Sequence, residues 1–240
     1  MANNFAILGA TGLVGSNIFK YLVQSPTPSN IITLTRRKLD EAPALALSTS
    51  PVDHTITQPV EPDSSKWPAV FGELCKAASS PPIVFTGLAT TRAAAGGFEK
   101  QYALEHDLNI ALAQAAKEAG VKTFVLISSV GASKDSRMPY TRMKGEIEDD
   151  IEACGFERYI IIRPGLLLGP RSEVRYAEGL MQMIARGLHK ISNGALSNSW
   201  AQSGDVVARA AVRAALDEGI TGKKILGQHE IVQIGGKPDW

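Results

Sequence analysis

The sequence predicts an α/β fold, a doubly wound and mostly parallel sheet with a small C-terminal lobe, from three observations. Short apolar runs alternate with longer helical ones along the chain, the pattern of strands joined by helical crossovers. Most of those runs are continuous rather than alternating, as expected when helices cover both faces of a sheet. The first run also leads directly into a glycine-spaced turn and a helix, Gly9-Ala10-Thr11-Gly12-Leu13-Val14-Gly15. A length of 240 residues suits one sizeable domain with its own core, so 1–240 is read as a single domain.

In chain order, strands are expected at Phe5–Gly9, Ile31–Thr35, Val52–Thr57, Ile83–Gly87, Thr123–Ser129 and Arg158–Arg163. Helices are expected at Leu13–Gln24, Ser65–Ala77, Gly97–Ala119, Tyr140–Cys154, Glu173–Arg186 and Asp205–Glu218. Residues 38–69 carry Pro43, Pro51, Pro59, Pro62 and Pro68, which suit edge strands and loops and leave little room for a regular helix. Within 97–119 the apolar stripe reads as core, and Glu146–Asp150 reads as a solvated helix face. A loop-rich stretch at 187–204 breaks the rhythm, and a substrate-facing insertion is placed at 171–204.

Charge and cysteine usage exclude several classes. Twenty-five basic and 24 acidic residues leave a net charge of +1, so no global field would draw in nucleic acid or an anionic membrane. Cys75 and Cys154 have no CxxC spacing and no local His partner, which argues against a zinc ribbon or a disulfide scaffold and for buried thiols in a reducing compartment. The four histidines are dispersed, so no metal site is expected. The most apolar segment, Tyr159–Gly169, is interrupted by Arg163 and Pro164 and falls short of the roughly 20 residues a spanning helix needs. Nothing at the N-terminus resembles a cleavable signal or transit peptide.

The glycine turn carries the first functional signal. At a first strand-to-helix turn, glycines permit the tight bend, a close backbone approach to a pyrophosphate, and close packing of helix on strand. The helix N-terminus then offers N–H groups and a positive dipole end to phosphate. Here the spacing is GxxGxxG, neither the usual GxGxxG nor a Walker loop, and a tight turn that binds nothing is the alternative. The candidate cofactor contacts are Gly9, Thr11, Gly12, Leu13, Val14 and Gly15. After the second strand comes Arg36-Arg37, where an NAD-preferring site would place Asp or Glu. Arginine suits the 2′-phosphate of NADP(H), unless the pair is simply solvated. Gly87, Leu88, Ala89 and Thr90 follow the fourth strand, where the ribose and diphosphate of a cofactor would pass. Ser128 ends the fifth strand, and Pro164, Gly165 and Leu166 follow the sixth, toward the nicotinamide carboxamide.

The second signal is Ser129 followed by Tyr140-Thr-Arg-Met-Lys144. On a helix, Tyr140 and Lys144 share a face. Hydride delivery to a carbonyl carbon leaves an oxyanion that needs a proton donor in reach. Lowering a tyrosine from pKa ≈ 10 by two to three units takes roughly 3–4 kcal/mol, and the Lys144 ammonium is a source of it. Lys144 also suits the nicotinamide ribose, and Ser129 the carbonyl. With no Gly-x-Ser-x-Gly elbow, hydrolase chemistry lacks its nucleophile.

These motifs resemble an atypical short-chain dehydrogenase/reductase. Within that superfamily, the segments Thr90–Tyr102, Glu105–Asn109, 113–118, Tyr140–Glu146 and Arg163–Gly169 resemble the fungal "found in mitochondrial proteome" proteins and the animal oxidoreductase first described as an HIV Tat-interacting protein. The resemblance implies a Rossmann fold, NADP(H) binding, catalytic roles for Ser129, Tyr140 and Lys144, and peripheral association with the mitochondrial outer membrane. The expected activity is reduction of a small-molecule carbonyl compound by a monomer or homodimer. Arg171, Arg175, Tyr176 and Trp200 are expected to line the substrate pocket. The alternative is an NADPH-sensing interaction protein with little or no turnover.

Overall fold

The computed structural model describes residues 3–38, 52–168 and 201–237. Its strands are β1 (Asn3–Leu8), β2 (Ser29–Leu34), β3 (Thr55–Thr57), β4 (Ile83–Thr86), β5 (Thr123–Ile127), β6 (Arg158–Ile162), β7 (Leu166–Leu168), β8 (Ala201–Ser203) and β9 (Gly222–Leu226). The helices are α1 (Leu13–Val23), α2 (Trp67–Ala77), α3 (Arg92–Ala95), α4 (Phe98–Tyr102), α5 (Leu108–Glu118), α6 (Pro139–Ala153), α7 (Gly204–Leu216) and α8 (Gln228–Gly235), with a π-helical turn at Ala103–Asp107 between α4 and α5.

Among the described residues one sheet runs in the order β3-β2-β1-β4-β5-β6-β9, and every neighbouring pair in it is parallel. A parallel pair needs a crossover, and these crossovers cover both faces. Alternate residues of one strand therefore enter different cores. Phe5 and Ile7 pack with α1 and α7 through Ile18 and Val207. Ala6 and Leu8 pack with α2, α5 and α6 through Phe71, Leu112 and Ile147. Each fully buried Leu, Ile or Phe contributes about 1.5–3 kcal/mol relative to exposure, which is why the strands read as unbroken apolar runs.

The six expected strands are present, and β3 lies at the sheet edge, where its neighbouring prolines cost no ladder hydrogen bond. A seventh strand, β9, was not expected. It also lies at an edge and is exposed at its first two residues, Gly222 and Lys223, with Lys224 half-buried, so it lacks the apolar run that marks an interior strand. The continuous helix expected over 97–119 is instead α4, the π-helical turn and α5. The insertion at 171–204 is described only from 201 onward, where β8 pairs in parallel with β7. The expected helix at Glu173–Arg186, and Arg171, Arg175, Tyr176 and Trp200, lie outside the described residues.

Because β1 has β2 on one side and β4 on the other, chain direction diverges at the ends of β1 and β4. That switch point opens the crevice in which open α/β sheets bind ligands.

Candidate active site

Two loops meet in the crevice. Gly9, at the end of β1, has φ +81, and a Cβ there would lie 2.9 Å from the carbonyl carbon of Gly87 after β4. Only glycine fits both the backbone conformation and that approach. The Gly12 N–H donates to the Gly9 carbonyl at 2.9 Å, closing the turn. A Cβ on Gly15 would fall 2.2 Å from the same oxygen, so α1 packs directly onto the turn. No side chain caps α1, and no acidic residue stands in its first turn. Its N-terminal N–H groups and dipole therefore meet no competing carboxylate, and the cradle fits a pyrophosphate. Arg36 and Arg37 are exposed just past β2, with the Arg37 carbonyl fixed by the Thr35 hydroxyl at 2.7 Å.

The Ser, Tyr and Lys residues also come together. Ser129 lies just past β5, and Tyr140 is the second residue of α6, entered through extended Met138 and Pro139. The Ser129 hydroxyl donates to the Val130 carbonyl at 3.3 Å and lies near enough to the Tyr140 phenol to act on its ionisation. One turn along α6, the buried Lys144 Nζ lies 5.9 Å from the Tyr140 ring centroid.

Sequence reasoning missed Glu105, apart from its place in a segment of family resemblance. Lys144 Nζ lies 2.9 Å from Glu105 Oε2, and their side chains are 3% and 0% exposed. Glu105 Oε1 accepts the Thr90 N–H at 2.9 Å and Gln101 Nε2 at 3.0 Å. Gln101 Nε2 also donates to the Thr90 carbonyl at 3.0 Å. Asn109 accepts from the Thr86 hydroxyl at 2.6 Å and donates to the Glu105 carbonyl at 2.6 Å. Gln101, Glu105 and Asn109 are all buried because the wide turn at 103–107 presents the three to the sheet, and π-turns recur at functional sites. A polar residue at every fourth place of an otherwise apolar helix face was the available signal.

Charge follows from this packing. Burial works against the Lys144 ammonium, but the Glu105 carboxylate, with Tyr140 and Glu148, outweighs it and holds Lys144 above its ordinary value. For Tyr140, burial raises the phenol most, Lys144 opposes it, Glu105 adds to the rise and the nearby Ser129 hydroxyl opposes; the net direction is up. Lys144 does lower the phenol as expected, but burial, with Glu105 beside it, outweighs that pull.

Ser128 and Arg163 belong to a second buried group. Glu148 Oε1 accepts from the Ser128 hydroxyl at 2.5 Å and from Arg163 Nε at 3.0 Å, and its other oxygen pairs with Arg163 Nη2. The Ser128 hydroxyl thus joins β5 to α6 and β6. Past β6, the Pro164 carbonyl accepts the Val130 N–H at 2.9 Å, and the Gly165 N–H donates to buried Gln202 at 3.2 Å. Leu166 begins β7.

A glycine cradle at the switch point of a parallel sheet covered by helices on both faces defines the class of Rossmann-like nucleotide-binding folds. A family model described as NAD(P)H-binding matches residues 9–183. Solved structures show the same fold. A wide-type short-chain dehydrogenase/reductase from Veillonella parvula in complex with NADP superposes with TM-score 0.59 at 14% identity, covering 95% of each chain. MoeE5 in complex with UDP-glucose and NAD gives 0.63 at 17% identity, covering 98% of this chain and 81% of its own. Among curated proteins, mitochondrial fmp52 of Aspergillus fumigatus is 46% identical over 241 residues, covering 98% of this chain and 99% of its own. The mitochondrial fmp-52 of Neurospora crassa is 42% identical over 243 residues, covering 98% and 96%. The chain belongs to this fungal Fmp52 family and carries an NAD(P)H-binding domain.

Proposed function

We propose that the chain is an NADPH-dependent carbonyl reductase in which Tyr140 is the general acid, Lys144 supports it and Ser129 orients the carbonyl. The observation that supports the reading is the placement of Ser129 just past β5 beside Tyr140 and Lys144 on one face of α6, at the same sheet edge as the glycine crevice. The first βα turn, with Gly9, Thr11, Gly12, Leu13, Val14 and Gly15, would hold the pyrophosphate on the α1 N-terminus. Arg36 and Arg37 would take the 2′-phosphate, favouring NADPH over NADH. Gly87, Leu88, Ala89 and Thr90 would flank the ribose and diphosphate, and Ser128, Pro164, Gly165 and Leu166 would wall the nicotinamide end.

When bound, NADPH supplies the hydride to the carbonyl carbon. The Tyr140 phenol gives its proton to the oxygen on which negative charge develops, and Ser129 donates a hydrogen bond to the same oxygen. A proton from solvent then restores the phenol. Lys144 keeps positive charge close to the ring and reaches toward the ribose.

We further propose peripheral association with the mitochondrial outer membrane. The relatives' names as mitochondrial proteins support it, and no helix among the described residues is long and apolar enough to cross a membrane. The partner is a small carbonyl compound rather than nucleic acid, and the protein acts as a monomer or homodimer.

NADPH oxidation across a panel of aldehydes, ketones, quinones and enones tests the activity, with Tyr140→Phe run alongside. Turnover that falls at least a hundredfold in the variant, with NADPH binding retained, is expected. NADPH binding without turnover by either protein would replace the reductase with a nucleotide-sensing interaction protein.

A further inference from the structure

We infer that Glu105 is a positioning residue of this site, holding the Lys144 ammonium as half of a neutral buried pair and tying it to the loop after β4. This rests on the reading of Tyr140 as the proton donor. Glu105 touches neither the phenol nor the crevice glycines; it acts through its neighbours. One carboxylate oxygen lies 2.9 Å from Lys144 Nζ, and the other accepts the Thr90 N–H at 2.9 Å. The pair is almost sealed from solvent, with 3% and 0% side-chain exposure, so water screens it little.

Tyr140 faces Lys144 from its own helix, Glu105 from the π-helical turn and the Ser129 hydroxyl from the end of β5. Lys144 in turn faces Glu105, Tyr140 and Glu148. A lone ammonium 5.9 Å from the ring would pull the phenol down by roughly two pH units at an effective dielectric of about 20. Burial of the phenol, with Glu105 added to it, offsets that pull. The phenol then keeps its proton through neutral and moderately alkaline conditions, and the donor is always loaded. The same carboxylate fixes Thr90, so the proposed cofactor loop and the ammonium share one anchor.

The test needs no substrate. Tyrosinate absorbance is titrated against pH for the wild type and for Glu105→Gln, each paired with its Tyr140→Phe counterpart. The paired difference isolates Tyr140 among the five tyrosines of the chain. Glutamine keeps an oxygen for the Thr90 N–H, removes the charge and leaves Lys144 facing an amide NH2 instead of an acceptor. The Tyr140 ionisation should move down by about one pH unit or more; no movement, or movement upward, overturns the inference. Should Glu105→Gln fail to fold, Glu105→Gln/Lys144→Met removes both charges together. Its Tyr140 should then titrate within about one unit of the wild type, and a larger displacement overturns the inference. Where a carbonyl is turned over, reduction by Glu105→Gln should also lose its rate at a pH about one unit lower than the wild type. A protein that turns over no carbonyl would end the reductase reading and leave the titration result standing.

Discussion

Replacing Gly15 by alanine should destabilise the protein, although the same change inside a helix ordinarily helps. Alanine in a helix interior is favoured over glycine by about 1 kcal/mol. At Gly15 the new Cβ would stand 2.2 Å from the Gly9 carbonyl oxygen and 2.8 Å from its carbon, against about 3.3 Å for a comfortable C···O approach. Both are backbone atoms, so no side chain can swing away, and α1 must lift by about 1 Å. The oxygen it pushes also accepts the Gly12 N–H at 2.9 Å. Overpacking costs about 1–3 kcal/mol and the strained turn hydrogen bond about 1 kcal/mol. After the propensity gain, a net loss of about 1–3 kcal/mol remains. NADPH affinity should fall at least tenfold, equivalent to about 1.4 kcal/mol, because the displaced N–H groups are those proposed to hold the pyrophosphate. Gly72 in α2 is the control: its Cβ would meet Ala115 at 3.7 Å, an ordinary contact, so Gly72→Ala should stabilise by about 0.5–1 kcal/mol. Urea denaturation gives the stabilities and fluorescence titration with NADPH the affinities. A Gly15→Ala protein as stable as the wild type, with unchanged affinity, would refute the packing argument.

Four further outcomes are expected. Arg36→Glu should weaken NADPH by about ten- to a hundredfold, the worth of a lost charge-assisted hydrogen bond, and leave NADH nearly unchanged; titration with both nucleotides decides, and equal loss of both would remove the 2′-phosphate assignment. Glu148→Ala should cost about 3 kcal/mol in urea denaturation, since it strands Ser128 and an Arg163 side chain only 29% exposed. Glu152→Ala, which breaks a bridge whose side chains are 33% and 46% exposed, should stay within about 1 kcal/mol. For pH, burial opposes the Lys144 charge but Glu105 outweighs it, raising Lys144 above 10.5. A raised folded value means the stabilisation is complete below about pH 10.5 and disappears as pH climbs through that higher value. Urea midpoints should therefore fall above about pH 10.5, and Glu105→Gln/Lys144→Met should lose the Lys144 share of that fall while Cys75, Tyr102 and Tyr159, raised by burial, keep theirs.

The parallel sheet was legible because both its faces are buried. Phe5-Ala6-Ile7-Leu8 supplies each core alternately, so no polar residue interrupts the run. Edge strands are harder to read: β9 opens with Gly222 and Lys223, both exposed, before its first buried residue, Leu226. In the site, Gly9, Gly15, Tyr140 and Lys144 were legible from spacing alone, since a tight turn and a shared helix face are local properties. Glu105 was not, because its partners Thr90 and Lys144 lie 15 and 39 residues away in sequence and meet it only in the fold. The raised Tyr140 was hidden for the same reason. A tyrosine and a lysine four residues apart announce an attraction, and the carboxylate that offsets it arrives from another helix.

The π-helical turn makes that arrival possible, and it is held from both sides. Outward, Tyr102 donates to Glu146 at 3.1 Å, and His106 lies between Asp107 at 2.9 Å and Asp150 at 2.8 Å. The Tyr102 and His106 rings stack at 4.5 Å. These contacts fasten the turn to α6 over its solvent side, while Glu105 fastens it to Lys144 within. Burying one carboxylate costs several kcal/mol unless its oxygens are partnered, so Glu105 tolerates little relative movement of the turn and α6. Helix α6 is itself fixed to β5 and β6 through Glu148, Ser128 and Arg163. The loop after β4 is tied to this assembly by the Thr90 N–H on Glu105, the Thr90 carbonyl on Gln101 and the Leu88 carbonyl on Asn109. A nucleotide that displaced Thr90 would therefore act on Glu105, and through it on the ammonium beside Tyr140.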